Sequence, residues 1–286
     1  MNIPYETFKG SLPGKHLLVF GAIHGNETCG TVGIQKVIQE IKVGKINIKC
    51  GQVTFVPTCN LLAYEQNLRY IDEDLNRAIL HHEDPKNYEE HIAKALCKMI
   101  DKCDALLDIH SMSAKSEPCV FEEASTQENI DFIYNLQFKN IFVGWEALYK
   151  KSDKSHSTEK YARNNEILAA TVECGQHNDE NAPKVAKNAI LNALHHFDMI
   201  DHAVEIVKTR KRILLTHVFY KEDGGTFTKK WHHMQSIQKG EPIAKTEKED
   251  FISPIDGFII MPSITAKIDT EWYYLGQEMP IKNATS

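Results

Sequence analysis

Arginine is scarce in this chain: of 33 basic residues among 286, five are arginine, Arg69, Arg77, Arg163, Arg210 and Arg212. Lysine serves as well on a solvated surface, so the few arginines mark places that need a planar, bidentate fork. Long apolar runs are also missing. The longest early one, residues 17–23, is far too short to span a bilayer, and the polar N-terminus has no basic-then-apolar leader. Paired-cysteine spacing is absent as well. Seven cysteines without a CxxC run from Cys29 to Cys174, which fits reduced thiols and leads us to expect a cytoplasmic protein. There is no excess of positive charge. A net charge of −6 argues against nucleic acid or anionic membrane as a partner. Neither repeats nor low-complexity tracts occur. With 42% hydrophobic and 25% charged residues, the chain reads as globular, with one large domain or one medium and one small.

What is present is an alternation of short apolar and longer amphipathic segments, the pattern of βαβ units. Strands are expected at 17–23, 53–57, 105–109 and 167–172. Helices are expected at 27–41, with Ile34, Val37, Ile38 and Ile41 on one face, at 88–100, with Ile92, Ala95, Leu96 and Met99, and at 183–196, behind a proline. After about residue 201 the texture changes. β-prone pieces at 213–220, 251–252, 257–261 and 272–275 alternate with Gly-Gly, Ser-Pro and Asp-Gly turn signals. The expected class is therefore α/β, a mixed sheet flanked by helices over residues 1–205, with a smaller all-β domain over 206–286. The polar stretch 150–160 reads as an exposed loop.

Three of the expected strands end on groups suited to metal or acid-base chemistry: His24, His110 and Glu173. Ligands of open α/β sheets bind outside the carboxyl ends of the strands, so three distant segments can meet there. His24-Gly25-Asn26-Glu27 sets an imidazole and a carboxylate three residues apart on a strand-to-helix turn, where glycine allows the bend. Adding His110 gives a His2Glu set, a catalytic zinc shell with a position left for water. Alone, the tetrapeptide also reads as a polar turn with Glu27 at a helix N-terminus, and His110 as a hydrogen-bonded strand-end histidine. Asp108 shares a face with His110 and is a candidate partner behind it. Glu173, at the end of a buried strand, is suited to proton transfer, or else forms a surface ion pair. The nine residues from Arg69 to Arg77 hold two forked cations and Asn76, enough to clamp a carboxylate and polarise a carbonyl, unless Asp72, Glu73 and Asp74 neutralise them in a solvated loop.

These residues, in this order, resemble the aspartoacylase/succinylglutamate desuccinylase family of zinc carboxypeptidase-like hydrolases. The likeness rests on His24-Gly-Asn-Glu27, Arg69-Tyr-Ile-Asp-Glu-Asp-Leu-Asn-Arg77, Asp108-Ile-His110 and Glu173-Cys-Gly175, and spans essentially the whole chain. It implies a zinc-carboxypeptidase-like sheet and a β-rich C-terminal cap. It further implies one zinc per chain on His24, Glu27 and His110, with Glu173 as general base and then acid. Arg69 would polarise the scissile carbonyl, and Asn76, Arg77 and Arg163 would bind substrate carboxylate. Tyr273 matches a substrate-contacting tyrosine, with Tyr274 or a plain core aromatic as alternatives. The chain departs from the family where a tyrosine is expected four residues before Arg163, a place held by Glu159. Residues 253–260 resemble the barrel-sandwich of biotinyl and lipoyl carriers but offer no lysine at the hairpin tip, so that likeness is architectural.

The expected function is a zinc-dependent amidohydrolase releasing an amino acid from a small, anionic N-acyl amino acid. The alternatives are a zinc carboxypeptidase for short peptides and a non-catalytic metal-binding protein, the last suggested by 14 dispersed histidines. A homo-oligomer is an open option.

Overall fold

The computed structural model describes residues 3–123, 126–149 and 156–281. Fourteen strands are described: β1 (Glu6–Lys9), β2 (Leu12–Gly21), β3 (Cys50–Val56), β4 (Ala105–Met112), β5 (Cys119–Phe121), β6 (Asn140–Val143), β7 (Leu168–Gln176), β8 (Lys211–Tyr220), β9 (Thr226–Phe227), β10 (Gln235–Ile237), β11 (Pro242–Lys245), β12 (Asp250–Ile252), β13 (Gly257–Ile260) and β14 (Glu271–Met279). The helices are α1 (Cys29–Lys42), α2 (Leu61–Glu65), α3 (Tyr88–Ile100), α4 (Gln127–Asn135), α5 (Trp145–Leu148), α6 (Thr158–Asn164) and α7 (Ala182–His196), with a 3-10 turn at Leu75–Arg77. No described helix is long and apolar enough to cross a membrane.

Eleven strands form one mixed sheet in the order β1-β3-β2-β4-β7-β5-β6-β8-β14-β13-β10, and β12-β11-β9 form a small second sheet. β2, β4 and β7 lie side by side and parallel, with His110 paired to Glu173. Such strands are covered on both faces and read as continuous apolar runs, which is why residues 17–20 and 105–107 were legible as strands.

Alternation along β4 assigns its two faces. Leu107 and Ile109 point into a core shared with α1, α4 and α7, whereas Leu106 points to the side covered by α3 and Ala162 of α6. On that second side the apolar residues give way to Asp108 and His110 as β4 approaches its carboxyl end, and β7 does the same with Ala169, Thr171 and Glu173. The site therefore lies where one face of the parallel strands turns polar.

The part of the polar stretch that is described, residues 156–160, is not an exposed loop. Ser157 Oγ accepts the Lys160 amide and caps α6, the Thr158 amide donates to Asn76 Oδ1 at 3.0 Å, and the Thr158 hydroxyl donates to Asp108. Thr158 and Glu159 are buried. Polar residues can be buried once each has a partner, and composition alone does not show the partner.

Candidate active site

His24 reaches the site three residues beyond β2. Gly25 is required there because a Cβ would stand 2.2 Å from the Ala63 carbonyl carbon and the Tyr64 amide nitrogen of α2. Its amide donates to Arg69 O at 3.1 Å, which ties the His24 turn to the arginine-bearing loop. Glu27 projects from the residues just before α1.

The two imidazoles meet the two oxygens of Glu27. His24 Nδ1 is 2.9 Å from Oε1 and His110 Nδ1 is 2.9 Å from Oε2. Behind each ring stands another carboxylate: Asp74 Oδ1 lies 3.0 Å from His24 Nε2, and Asp108 Oδ2 lies 2.9 Å from His110 Nε2. Ligand atoms of His24, Glu27 and His110 all fall within 4.8 Å of one another, and all three residues are buried. Rings whose outer nitrogens face carboxylates, His24 Nε2 hydrogen-bonded to Asp74 and His110 Nε2 beside Asp108, while the inner ones converge are arranged as in carboxylate–histidine–zinc systems.

Charge supports the same fit. Glu27 and Asp74 face the Arg69 guanidinium, and Asp108 stands behind His110, so three carboxylates gather around the two imidazoles and one permanent cation. Burial would raise the Glu27 carboxyl, but His24 and His110 outweigh it and hold the group well below the usual carboxylate range. Burial likewise disfavours the His110 imidazolium, yet Asp108 and Glu27 prevail and hold the ring well above the ordinary histidine value. The pocket favours added positive charge.

Glu173 stands beside this set on β7. Burial, reinforced by the charge of Glu27, pushes its carboxyl well above the ordinary range, and its Oε2 is buried without a hydrogen-bond partner. Arg69 bridges Glu27 and Asp74, with Nη1 3.1 Å from Glu27 Oε1 and Nε 3.1 Å from Asp74 Oδ2. The competing reading of local neutralisation is thus realised by Asp74, but in a bridge that also fixes His24.

Arg77 is half-buried, gives Nη1 to Asn76 O at 3.0 Å and lies 5.8 Å from the centre of the Tyr149 ring. Among the described residues it has no carboxylate partner, so its fork is open to an anion. Asn76 is close by but turns its oxygen to Thr158. Arg163 differs: its Nη2 donates to Glu146 and its Nε is 3.7 Å from Glu159 Oε1. Tyr273 and Tyr274 face opposite ways, and Tyr273 is the one on the core side. It is fully buried in the C-terminal β core, stacked on Phe219 with ring centres 4.6 Å apart. Alternation on β14 instead turns Tyr274 toward the arginine side, where its hydroxyl meets that of Tyr149 at 2.7 Å, and Tyr149 in turn donates to Glu271.

Sequence reasoning missed four residues here. Asp74 reads from sequence as a neutralising acid, although its place at the start of Asp-Leu-Asn-Arg is a usable signal. Glu146, Tyr149 and His177, whose Nδ1 is 2.9 Å from Ser111 Oγ, carry no local signal, since only the fold brings them near.

Comparison with known proteins agrees with the geometry. The family model described as the Succinylglutamate desuccinylase/Aspartoacylase catalytic domain matches residues 13–197. The chain belongs to this family. A probable aspartoacylase of Prochlorococcus marinus subsp. pastoris is 32% identical over 105 residues, 35% of this chain and 34% of that protein. An aspartoacylase of Danio rerio is 29% identical over 140 residues, 43% of this chain and 40% of the relative. The matched span is thus about a third to two-fifths of these curated relatives. Among solved structures, a succinylglutamate desuccinylase/aspartoacylase of Rhodobacter sphaeroides superposes with a TM-score of 0.78 at 15% identity, covering 97% of this chain and 90% of that one. The ectoine utilization protein of Ruegeria pomeroyi gives 0.79 at 17%, covering 96% and 88%. At such identities the likeness establishes the desuccinylase/aspartoacylase fold, with its central sheet and C-terminal antiparallel region.

Proposed function

We propose that this member of the family is a zinc-dependent deacylase that hydrolyses the amide bond of N-acyl amino acids, with one zinc per chain. The observation that carries this reading is Glu27 placed between two imidazole Nδ1 atoms, each ring backed by a carboxylate, with the unpartnered Glu173 carboxyl alongside. Zinc held by His24, Glu27 and His110 would supply Lewis acidity, making water a competent nucleophile near neutral pH and polarising the acyl carbonyl.

The chain's own residues do the rest. Glu173 takes a proton from the attacking water and returns it to the leaving amine, a task favoured by a carboxyl whose affinity for protons is raised by burial. Arg69, fixed by Glu27 and Asp74, presents its remaining donors to the carbonyl oxygen as charge develops there. Arg77 receives the carboxylate of the released amino acid as a forked pair.

The test separates metal from base. The protein as purified, or supplemented with zinc, should hold about one zinc per chain, and His110→Ala should lose it. Glu173→Gln should keep the metal while amine release falls by roughly two to four orders of magnitude. Full zinc content in His110→Ala, or parental turnover in Glu173→Gln, would overturn the corresponding role. Amine release from N-acyl amino acids, rather than residue-by-residue trimming of short peptides, distinguishes the deacylase from a carboxypeptidase.

A further inference from the structure

Arg163, the arginine that the family resemblance assigns to a substrate carboxylate, is already surrounded by carboxyl groups. Glu146 of α5 accepts from its Nη2, and Glu159, one turn earlier on α6, lies beside its Nε. Glu123 completes the ring by accepting the amides of Trp145 and Glu146, and so fixes the start of α5. Two carboxyls thus flank one guanidinium, and a third, Glu123, stands behind Glu146 within reach of its charge. Burial raises the Glu159 carboxyl to about 8 despite Arg163, with Glu123 and Glu146 adding to the effect, and burial raises Glu123 as well, with Glu146 adding to it and Arg163 opposing it.

Two atoms are left over. Glu159 Oε1 and Arg163 Nε are buried without hydrogen-bond partners, and Glu159 is 5% exposed. Such orphaned polar atoms are costly in an interior unless a ligand or water meets them. This cluster also adjoins the candidate zinc ligands. Thr158, the neighbour of Glu159, donates to Asp108 behind His110, and Glu159 lies beside Thr171, two residues before Glu173 on the same face of β7.

A carboxylate entering here would have to displace Glu146 and then settle among like charges. An ammonium group would meet the orphaned oxygen of Glu159 and the carboxylate of Glu146, and by its charge would favour ionisation of both. Arg77 remains open for a single carboxylate. We propose that the Glu159–Arg163–Glu146 cluster is a receptor for a cationic side chain, so that the favoured substrates are N-acyl derivatives of basic or diamino acids, with the α-carboxylate on Arg77. This rests on the deacylase reading and replaces, within it, the expectation of an acidic side chain.

The experiment has two arms. In the first, zinc-supplemented Glu173→Gln protein, which binds without turning over, is titrated by calorimetry with Nα-acetylornithine, N-acetylnorvaline and N-acetylaspartate. The ornithine derivative should bind at least tenfold more tightly than the norvaline derivative, which has the same three side-chain carbons without the ammonium, and the aspartate derivative most weakly. Adding Glu159→Gln or, separately, Glu146→Gln should reduce the ornithine-to-norvaline affinity ratio at least tenfold. Equal or tighter binding of N-acetylaspartate, an unchanged ratio in both variants, or no binding of any of the three would overturn the proposal. In the second arm the parent protein is assayed for amine release from the same compounds. Release from none, with the binding preference intact, sinks the deacylase reading and leaves the receptor standing; release with an acidic preference sinks the receptor alone.

Discussion

Each oxygen of Glu27 faces a different imidazole, and each imidazole leans on a different carboxylate, so the candidate metal site depends on residues that never touch the ion. Asp74 is the most connected of them, holding His24 Nε2 and, through its other oxygen, Arg69. Asp74→Asn should therefore weaken zinc binding by roughly 10–100-fold in a chelator competition, and should lower kcat as well because Arg69 loses its anchor. An unchanged zinc affinity would place Asp74 outside the metal site. A second prediction concerns Glu159. Burial raises its carboxyl from an ordinary 4.5 to about 8. Between those values the folded protein keeps a proton that the unfolded chain has lost, so the stability this residue leaves to the fold decreases as pH rises across the window and is largest below it. Glu159→Gln removes the dependence. The melting temperature of the variant relative to the parent should be higher at pH 8 than at pH 5, and an equal difference at both would contradict a buried proton at this site.

At the level of elements, legibility followed continuity in the chain. Strands buried on both faces announce themselves as apolar runs, and His24, His110 and Glu173 stand at or just past the ends of three of them. The arginine scarcity was informative too, since Arg212 also uses its fork, on both oxygens of Glu122, while Arg210 gives one nitrogen, Nη2, to both Tyr134 O and Gln137 Oε1. What could not be read was any group whose meaning comes from a distant segment. Glu89, in the first turn of α3, reads as a solvated acid at a helix N-terminus. In the structure it is fully buried and accepts from the amides of Ile71 and Asp72 at 2.8 and 3.0 Å and from Asn60 Nδ2 at 3.0 Å. It therefore shapes the loop that carries Arg69 and Arg77. The choice between Tyr273 and Tyr274 stayed open for the opposite reason: adjacent residues on a strand face opposite sides, and sequence does not say which side is the site. Removing the Glu89 carboxylate takes the acceptor from the buried Asn60 amide and from the part-buried amides of Ile71, Asp72 and Glu73, so Glu89→Ala should destabilise by roughly 2–4 kcal/mol in denaturant unfolding and raise KM through a displaced Arg77. A surface-like effect, under about 0.5 kcal/mol, would show that the loop holds its shape without it.

The largest-scale feature is that the central sheet crosses the change in sequence texture near residue 205. β6 pairs in parallel with β8, Asn140 opposite Lys211 through Val143 opposite Leu214, and β8 then pairs along nearly its whole length with β14. Arg212 fastens this joint, its Nε and Nη2 bound to the two oxygens of Glu122 at 2.8 and 2.9 Å, with both side chains almost fully buried. Backbone pairing and a desolvated fork thus couple the first 205 residues to the C-terminal β region, and Tyr149 and Tyr274 meet across the same seam beside Arg77. The whole described molecule should accordingly unfold as one unit. Calorimetry is expected to show a single transition with equal calorimetric and van't Hoff enthalpies. Arg212→Ala should shift that transition as a whole, by about 3–5 kcal/mol of lost stability, because it withdraws the bidentate counter-charge from a buried carboxylate. Replacing Arg212 and Glu122 together by methionine should cost much less, since no buried charge is then left behind. Two resolved transitions in the parent, with only one of them moved by Arg212→Ala, would show that the C-terminal region folds independently and that the shared sheet is a contact between separate units.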